Sequence, residues 1–139
     1  MADSAAAGAC PPARADSDCP FCRPAVQARP VAACNTVLAI QDAHPAAPGH
    51  LLVITRRHTP DFFTMTPAEQ GDALKLLADL RDRALRDDPA ITGFNVGANC
   101  GESAGQRIMH AHIHFIPRRD DDPNRPGGAK GVIRNRMSY

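Results

Sequence analysis

No stretch of the 139 residues is apolar for long enough to span a bilayer, which takes about 20 predominantly apolar residues. Nor does a basic segment lead into an apolar one, the pattern of a secretory signal. Neither sign of charge is in excess. The 16 Lys and Arg face 15 Asp and Glu, so composition gives no argument for a nucleic-acid or acidic-membrane partner. Internal repeats are also missing. The five cysteines are odd in number and unevenly spread, which argues against a disulfide framework and for a reduced, cytoplasmic protein. What is there is a C-x-x-C pair, Cys19 and Cys22, of the kind that binds metal or works in redox chemistry. With 43% apolar residues, a chain of this length can bury one core, and a single compact domain is expected.

That domain is expected over residues 19–118. Residues 1–18 are mostly Ala, Pro, Asp and Ser without periodicity and read as a disordered extension. Residues 119–139 read as an irregular tail, charged and rich in Pro and Gly from Asp120 to Gly131, with Val132-Ile133 available for a short final contact. Within the domain, Thr36-Val37-Leu38-Ala39-Ile40 and His50-Leu51-Leu52-Val53-Ile54-Thr55 read as antiparallel strands joined by a Pro- and Gly-containing turn. Thr66, Pro67 and Glu69 supply a helix N-cap, a first-turn proline and the acid of a capping box. Leu74, Leu77, Leu80, Ala84 and Leu85 follow at near-helical spacing, with Leu76 broadening the stripe, and Pro89 marks the stop. This stripe predicts core packing and carries no chemistry. Gly93-Phe94-Asn95-Val96-Gly97 reads as a further strand, and residues 99–105 as a glycine-containing loop.

Immediately after that loop, histidine alternates with an apolar residue three times: His110, His112 and His114 against Ala111, Ile113 and Phe115. Strand side chains alternate between faces, so the three imidazoles are expected on one face, about 7 Å apart. That spacing can address successive charges of one extended anionic ligand. A metal site, or a half-buried strand with a wet histidine face, is the alternative reading. A neutral imidazole is nucleophilic near pH 7, since its ordinary pKa is about 6.5. Its attack on phosphorus gives a phosphoramidate that water then cleaves, dividing one difficult displacement into two easier ones. Backbone N–H groups of the 99–105 loop and the Gln106 amide are positioned in sequence to donate to phosphate oxygens. Separately, the two thiolates of Cys19 and Cys22 plus two imidazoles would complete a tetrahedral zinc site. His58 follows the second strand. The fourth ligand is not determined by local spacing, and His110 is the best candidate, because three strand histidines cannot all face one phosphate. A redox pair, or two unrelated cysteines, are the other readings.

His110-Ala111-His112-Ile113-His114-Phe115-Ile116 resembles the H-φ-H-φ-H-φ-φ motif of the histidine-triad (HIT) nucleotide-binding proteins. Leu38 to Asp42, Pro48 to Ile54, Arg56-Arg57-His58, Gly93 to Gly97 and Ala104-Gly105-Gln106 also resemble segments of that family, so the likeness runs from about Cys19 to Arg118. The Cys19-Pro20-Phe21-Cys22 start is similar to its zinc-containing bacterial members. The resemblance implies an α+β fold, a five-stranded antiparallel sheet with one long helix, often paired across a homodimer. It implies hydrolysis or transfer at the α-phosphate of a nucleotide, with a purine as the expected base. By position, His112 would be the nucleophile, His114 would bind phosphate oxygens, and Gln106 would contact the phosphates or leaving group. Asp42 would hold the ribose hydroxyls; Asn95 and Gly105 would organise the phosphate side. Cys19, Cys22, His58 and His110 would hold a structural zinc.

Several of these residues have a plainer role open to them. Asp42 can be a turn acid and Asn95 a residue that satisfies backbone groups. His44 and His50 read as surface or turn residues, and Cys34 and Cys100 as structural or incidental. Two departures matter. Arg107 stands where many relatives place a small hydroxyl residue, and is expected to reach a distal phosphate and favour polyphosphate-bridged substrates. His114 stands where uridylyltransferase relatives carry glutamine, which favours hydrolysis. The expected activity is hydrolysis of a dinucleoside polyphosphate or nucleoside phosphoramidate through a nucleotidyl-histidine. A phosphorylase, or a nucleotide-binding regulator with incidental turnover, is the rival.

Overall fold

The computed structural model describes residues 18–126, so the expected N-terminal extension, the end of the tail and Val132-Ile133 lie outside the described residues. Five strands form one sheet: β1 (Ala32–Cys34), β2 (Val37–Gln41), β3 (Leu51–Thr55), β4 (Ile91–Gly97) and β5 (His112–Arg119). Their order is β1-β2-β3-β5-β4, and every neighbouring pair is antiparallel. A short helix, α1 (Pro24–Gln27), precedes the sheet, and the long α2 (Pro67–Asp87) connects β3 to β4. This is the expected α+β architecture. No helix among the described residues is long and apolar enough to cross a membrane.

Strand β1 has too few residues to announce itself by alternation. It exists because Asn35 takes a left-handed φ of 49°, which asparagine tolerates, and folds Cys34 back onto Val37. The turn is held by α2. Asp72 accepts from Asn35 Nδ2 at 3.3 Å, from Thr36 N at 3.2 Å and from Thr36 Oγ1 at 2.6 Å. Those bonds account for a buried carboxylate on the helix, and they hold its pKa below the ordinary range against the opposing effect of burial.

Helix α2 begins as its sequence predicts. The Thr66 side chain accepts from Glu69 N, and Glu69 returns the bond to Thr66 N at 2.8 Å. Glu69 is fully buried and also receives both Nε and Nη2 of Arg57, at 3.0 and 2.9 Å. Fixing Glu69 and Asp72 against the sheet side sets the helix's rotation. Ala73, Leu76 and Leu80 therefore enter the core against Val37, Ala39, Val53, Ile113 and Phe115. The predicted stripe is displaced by one position at its start. Leu74 lies about 100° round the helix from Ala73 and is 70% exposed, whereas Leu76 is 1% exposed.

The opposite face of the sheet is covered too. Cys19 and Phe21, which flank and occupy a 3-10 turn at Pro20–Cys22, pack on Leu38, Ile40, Leu52 and Ile54. With both faces covered, Val37 to Ile40 is buried without interruption, which is why β2 reads as a continuous apolar run.

Truncating Leu76 to Ala is expected to cost about 2–5 kcal/mol of stability, against about 0.5 kcal/mol or less for Leu74→Ala. Urea unfolding of the two variants checks this. Equal losses would show that the packing face has been assigned wrongly.

Candidate active site

Four potential metal ligands meet at the end of β3. Cys19 Sγ lies 3.3 Å from His110 Nδ1, Cys22 Sγ lies 3.2 Å from His58 Nδ1, and Cys22 Sγ lies 3.5 Å from His110 Nδ1. All four ligand atoms fall within 4.8 Å of one another. A tetrahedral zinc with Zn–S of about 2.3 Å and Zn–N of about 2.0–2.1 Å separates S and N ligand atoms by roughly 3.5 Å, so donor set and spacing both fit. The tautomer fits as well. His110 Nε2 sits 2.7 Å from the Thr55 carbonyl, which can only accept, so Nε2 carries the hydrogen and Nδ1 presents its lone pair to the sulfurs. Burial pushes the His110 pKa down to about 4. The four residues proposed as ligands from sequence are thus brought together.

His110 is not in the strand. The ladder starts at His112, and Ala111 N–H bonds to Thr59 O at 2.7 Å, outside the sheet pairing. The expectation that all three histidines share one strand face holds for His112 and His114 alone. This bend directs His110 to the sulfurs. In the sheet, His112 pairs with Ile54, while His114 pairs with Leu52 on one side and Gly97 on the other. His112 Nδ1 lies 2.8 Å from the His110 carbonyl. By the same logic it is the donor there, and the lone pair is on Nε2. The ring also packs edge-on to Phe21, with centroids 5.3 Å apart. Burial lowers the pKa of His112 and takes that of His114 down to about 3, so both are neutral imidazoles near pH 7.

His50 reads as a surface residue in the sequence; in the structure it is 3% exposed and belongs to the site. It stands one residue before β3, in step with Leu52 and Ile54, and that parity is the available signal. Ala46 N donates to His50 Nδ1 at 2.9 Å, so Nε2 carries the hydrogen, 3.0 Å from His114 Nδ1 and 3.3 Å from Asp42 Oδ2. Burial, more than the neighbouring charges, lowers the His50 pKa. Asp42 is buried. Its Oδ1 accepts from His44 N at 2.7 Å, but Oδ2 has no hydrogen-bond partner. His44 is exposed, as expected.

The loop before β5 is bonded to itself. Ala104 N and Gln106 N donate to Gly101 O, and Gly105 N donates to Glu102 O. Gly105 takes a φ of 96°, and a Cβ there would meet Asn99 Nδ2 at 3.4 Å. The buried Gln106 accepts from Gly101 N at 2.8 Å and donates to Pro60 O at 2.7 Å and Ile108 O at 3.0 Å. Its amide hydrogens are therefore directed at the chain, and the N–H groups of Gly101, Ala104, Gly105 and Gln106 are bonded within the loop. Asn95 Oδ1 accepts from Arg118 Nε at 2.9 Å, and Arg118 pairs with Asp122 at 2.9 Å. Arg118 is a second buried polar residue that sequence reasoning misses, although it shares the parity of His112 and His114.

An apolar cavity of about 280 Å³ opens beside these groups. Phe21, Val26, Ile40, Leu52 and Ile108 line it, with Asp42 and His112 contributing polar atoms. Exposed Arg107 instead lines a separate cavity beside Cys19 and His58.

The comparisons with known proteins agree with this geometry. The HIT domain family profile matches residues 23–121. An AP-4-A phosphorylase of Mycobacterium tuberculosis is 34% identical over 95 residues, 68% of this chain and 48% of that protein. An asymmetrical bis(5'-nucleosyl)-tetraphosphatase of Schizosaccharomyces pombe is 33% identical over 78 residues, 56% of this chain and 42% of that protein. The chain thus spans about half the length of these curated relatives. Among solved structures, a HIT family protein from Bacillus anthracis superposes with a TM-score of 0.66 at 29% identity, covering 77% of each chain. A zinc-bound histidine triad family protein from Mycobacterium smegmatis gives 0.51 at 33% identity, covering 63% of each. The profile takes in the sheet, the long helix and the whole histidine segment, and the chain belongs to the HIT family.

Proposed function

We propose that this protein hydrolyses nucleotide conjugates at the α-phosphorus, with His112 as the nucleophile. One observation carries this reading: a neutral imidazole with its lone pair on Nε2 stands at an apolar cavity beside a buried carboxylate oxygen that has no hydrogen-bond partner. A flat purine base suits the apolar walls. The ribose hydroxyls are the donors that Asp42 Oδ2 lacks, and binding them would relieve a buried, unsatisfied acceptor. With base and ribose so placed, the α-phosphate falls to His112.

In the first step a bond forms between Nε2 and phosphorus while the bond from phosphorus to the bridging atom breaks, and the leaving group takes that electron pair. The imidazole becomes cationic through its new bond, and the His110 carbonyl at Nδ1–H stabilises that charge. In the second step water attacks phosphorus, the N–P bond breaks, and a nucleoside monophosphate leaves. His114 accepts from His50 at Nδ1, so it offers an Nε2–H donor to a non-bridging oxygen. Gln106 and Gly105 act here through the loop they shape, and Asn95 through its bond to Arg118; we assign them positioning roles.

A second reading is supported by the likeness to a protein named AP-4-A phosphorylase: inorganic phosphate could replace water in the second step. We further propose a structural zinc on Cys19, Cys22, His58 and His110. Four protein ligands leave no open position, so the ion supplies no Lewis acid to the reaction. It holds the segment carrying Phe21, one wall of the cavity and the ring that packs on His112. Thiolate ligands need a reducing compartment, consistent with a cytoplasmic setting. Edge strand β4, with Val96 half exposed, is the element we propose for pairing with a second copy.

His112→Asn is expected to abolish turnover of diadenosine tetraphosphate, at least 1,000-fold on the scale of losing a covalent nucleophile (~4 kcal/mol). Wild-type products separate the readings: AMP and ATP mean hydrolysis, ADP and ATP in the presence of phosphate mean phosphorolysis. Tight nucleotide binding without turnover would point to a regulator. Elemental analysis is expected to find about one zinc per chain in the wild type. Cys19→Ser should lose it, and a metal-free native protein would remove the zinc assignment.

A further inference from the structure

Besides Asp42 and His112, the polar residues lining the apolar cavity are Arg23, Gln41 and His44. Asp42 and His112 are assigned to the ribose and the α-phosphate, which leaves these three for the base. The cavity runs across the strands. Ile40 of β2 pairs with Leu52 of β3, and Leu52 with His114 of β5, so the three form one row over the sheet. Neighbouring strands lie about 4.8 Å apart, so the Ile40 end of the row is about 10 Å from the phosphate end. A base over Ile40 therefore keeps its edge away from both catalytic imidazoles.

Arg23 belongs to that end. It stands immediately before α1, whose Val26 packs against the cluster that contains Leu38, Ile40 and Leu52. Its backbone is held in place. Arg23 O accepts from Val26 N at 3.0 Å and Gln27 N at 3.1 Å. Gln27 Nε2 in turn donates to Phe21 O and Arg56 O, both at 3.0 Å. Arg57, Arg118 and Arg119 are each committed to a carboxylate. The exposed Arg23 side chain makes no ion pair or hydrogen bond among the described residues, and no other Lys or Arg among them lines this cavity.

The three residues differ in what they can read. Gln41 offers donors and an acceptor, and the His44 ring can do either, so both can meet any base edge. A guanidinium only donates, from two parallel N–H groups. The purines differ at just this point. Guanine presents two adjacent acceptors, O6 and N7, whereas adenine sets the N7 acceptor beside an N6 amino donor that would oppose a guanidinium N–H.

We propose that Arg23 is a specificity-determining residue that gives the nucleoside site a preference for guanine over adenine. Its guanidinium takes O6 and N7 of guanine as a bidentate pair at the open rim, while the apolar walls hold the faces of the ring. This rests on the reading of the cavity as a nucleoside site, and it narrows the purine to one base.

Dissociation constants for GMP, IMP, 7-deaza-GMP and AMP are measured by calorimetry on the full chain, with zinc content checked because Arg23 adjoins Cys22. The wild type is expected to bind GMP about 10-fold tighter than AMP, the lower part of the range for one bidentate base contact because the rim is exposed. IMP, which keeps O6 and N7, should match GMP. The 7-deaza analogue lacks N7 and should lose most of the advantage. Arg23→Met should bring GMP and AMP to about the same affinity, leaving AMP binding and zinc content unchanged. Arg23→Lys keeps the charge without the fork and should do nearly the same. Equal affinity of the wild type for GMP and AMP overturns the proposal. So does a preference that survives Arg23→Met, or one kept in full by Arg23→Lys or by the 7-deaza analogue. Failure of both GMP and AMP to bind would instead overturn the nucleoside reading on which the proposal stands.

Discussion

The pairing of β5 between β3 and β4 is the constraint on which the rest of this structure depends. Because His112 lies opposite Ile54 and His114 opposite Leu52 and Gly97, both imidazoles are fixed on the face away from α2. A slip of one residue would exchange them with Ile113 and Phe115, putting imidazoles under the helix and an aromatic ring into the site. The apolar residues of β5 therefore do more than fill the core. By packing against Ala73, Leu76 and Leu80 they prevent that slip.

Burying so many imidazoles on one face is unfavourable unless each finds partners, and here the partners also choose the tautomers. Thr55 O fixes His110, His110 O fixes His112, Ala46 N fixes His50, and His50 fixes His114. Burial keeps the rings neutral, and the hydrogen-bond partners decide which nitrogen keeps its lone pair. The Nε2 lone pair of His112 and the Nδ1 lone pair of His110 are thus both set by backbone hydrogen bonds.

Much of this is legible in the sequence, for identifiable reasons. Helix α2 is visible because Thr66, Pro67 and Glu69 mark its start chemically. Strand β5 is visible because imidazoles turned to one face alternate strictly with apolar side chains turned to the other, although both faces are buried. What escapes depends on contacts remote in sequence. Strand β1 needs Asp72 to hold its turn, and the exposure of Leu74 follows from the anchoring of Glu69 by Arg57. His50 is misjudged because a histidine after Pro48-Gly49 looks like part of a turn; only the continuation of β3's parity reveals its direction. The orientation of Gln106 cannot be read, since its partners Pro60 and Gly101 come from loops that periodicity does not describe.

The bend at His110 has a consequence for how such a protein can change. Its imidazole serves the sulfurs, whereas its backbone carbonyl serves His112. Any amino acid at that position would still present the carbonyl. A lineage could therefore discard the cysteines and the first imidazole by ordinary point substitutions and keep the His112 ring in the same tautomer. The two contacts share a residue but not an atom, and that makes them separately heritable.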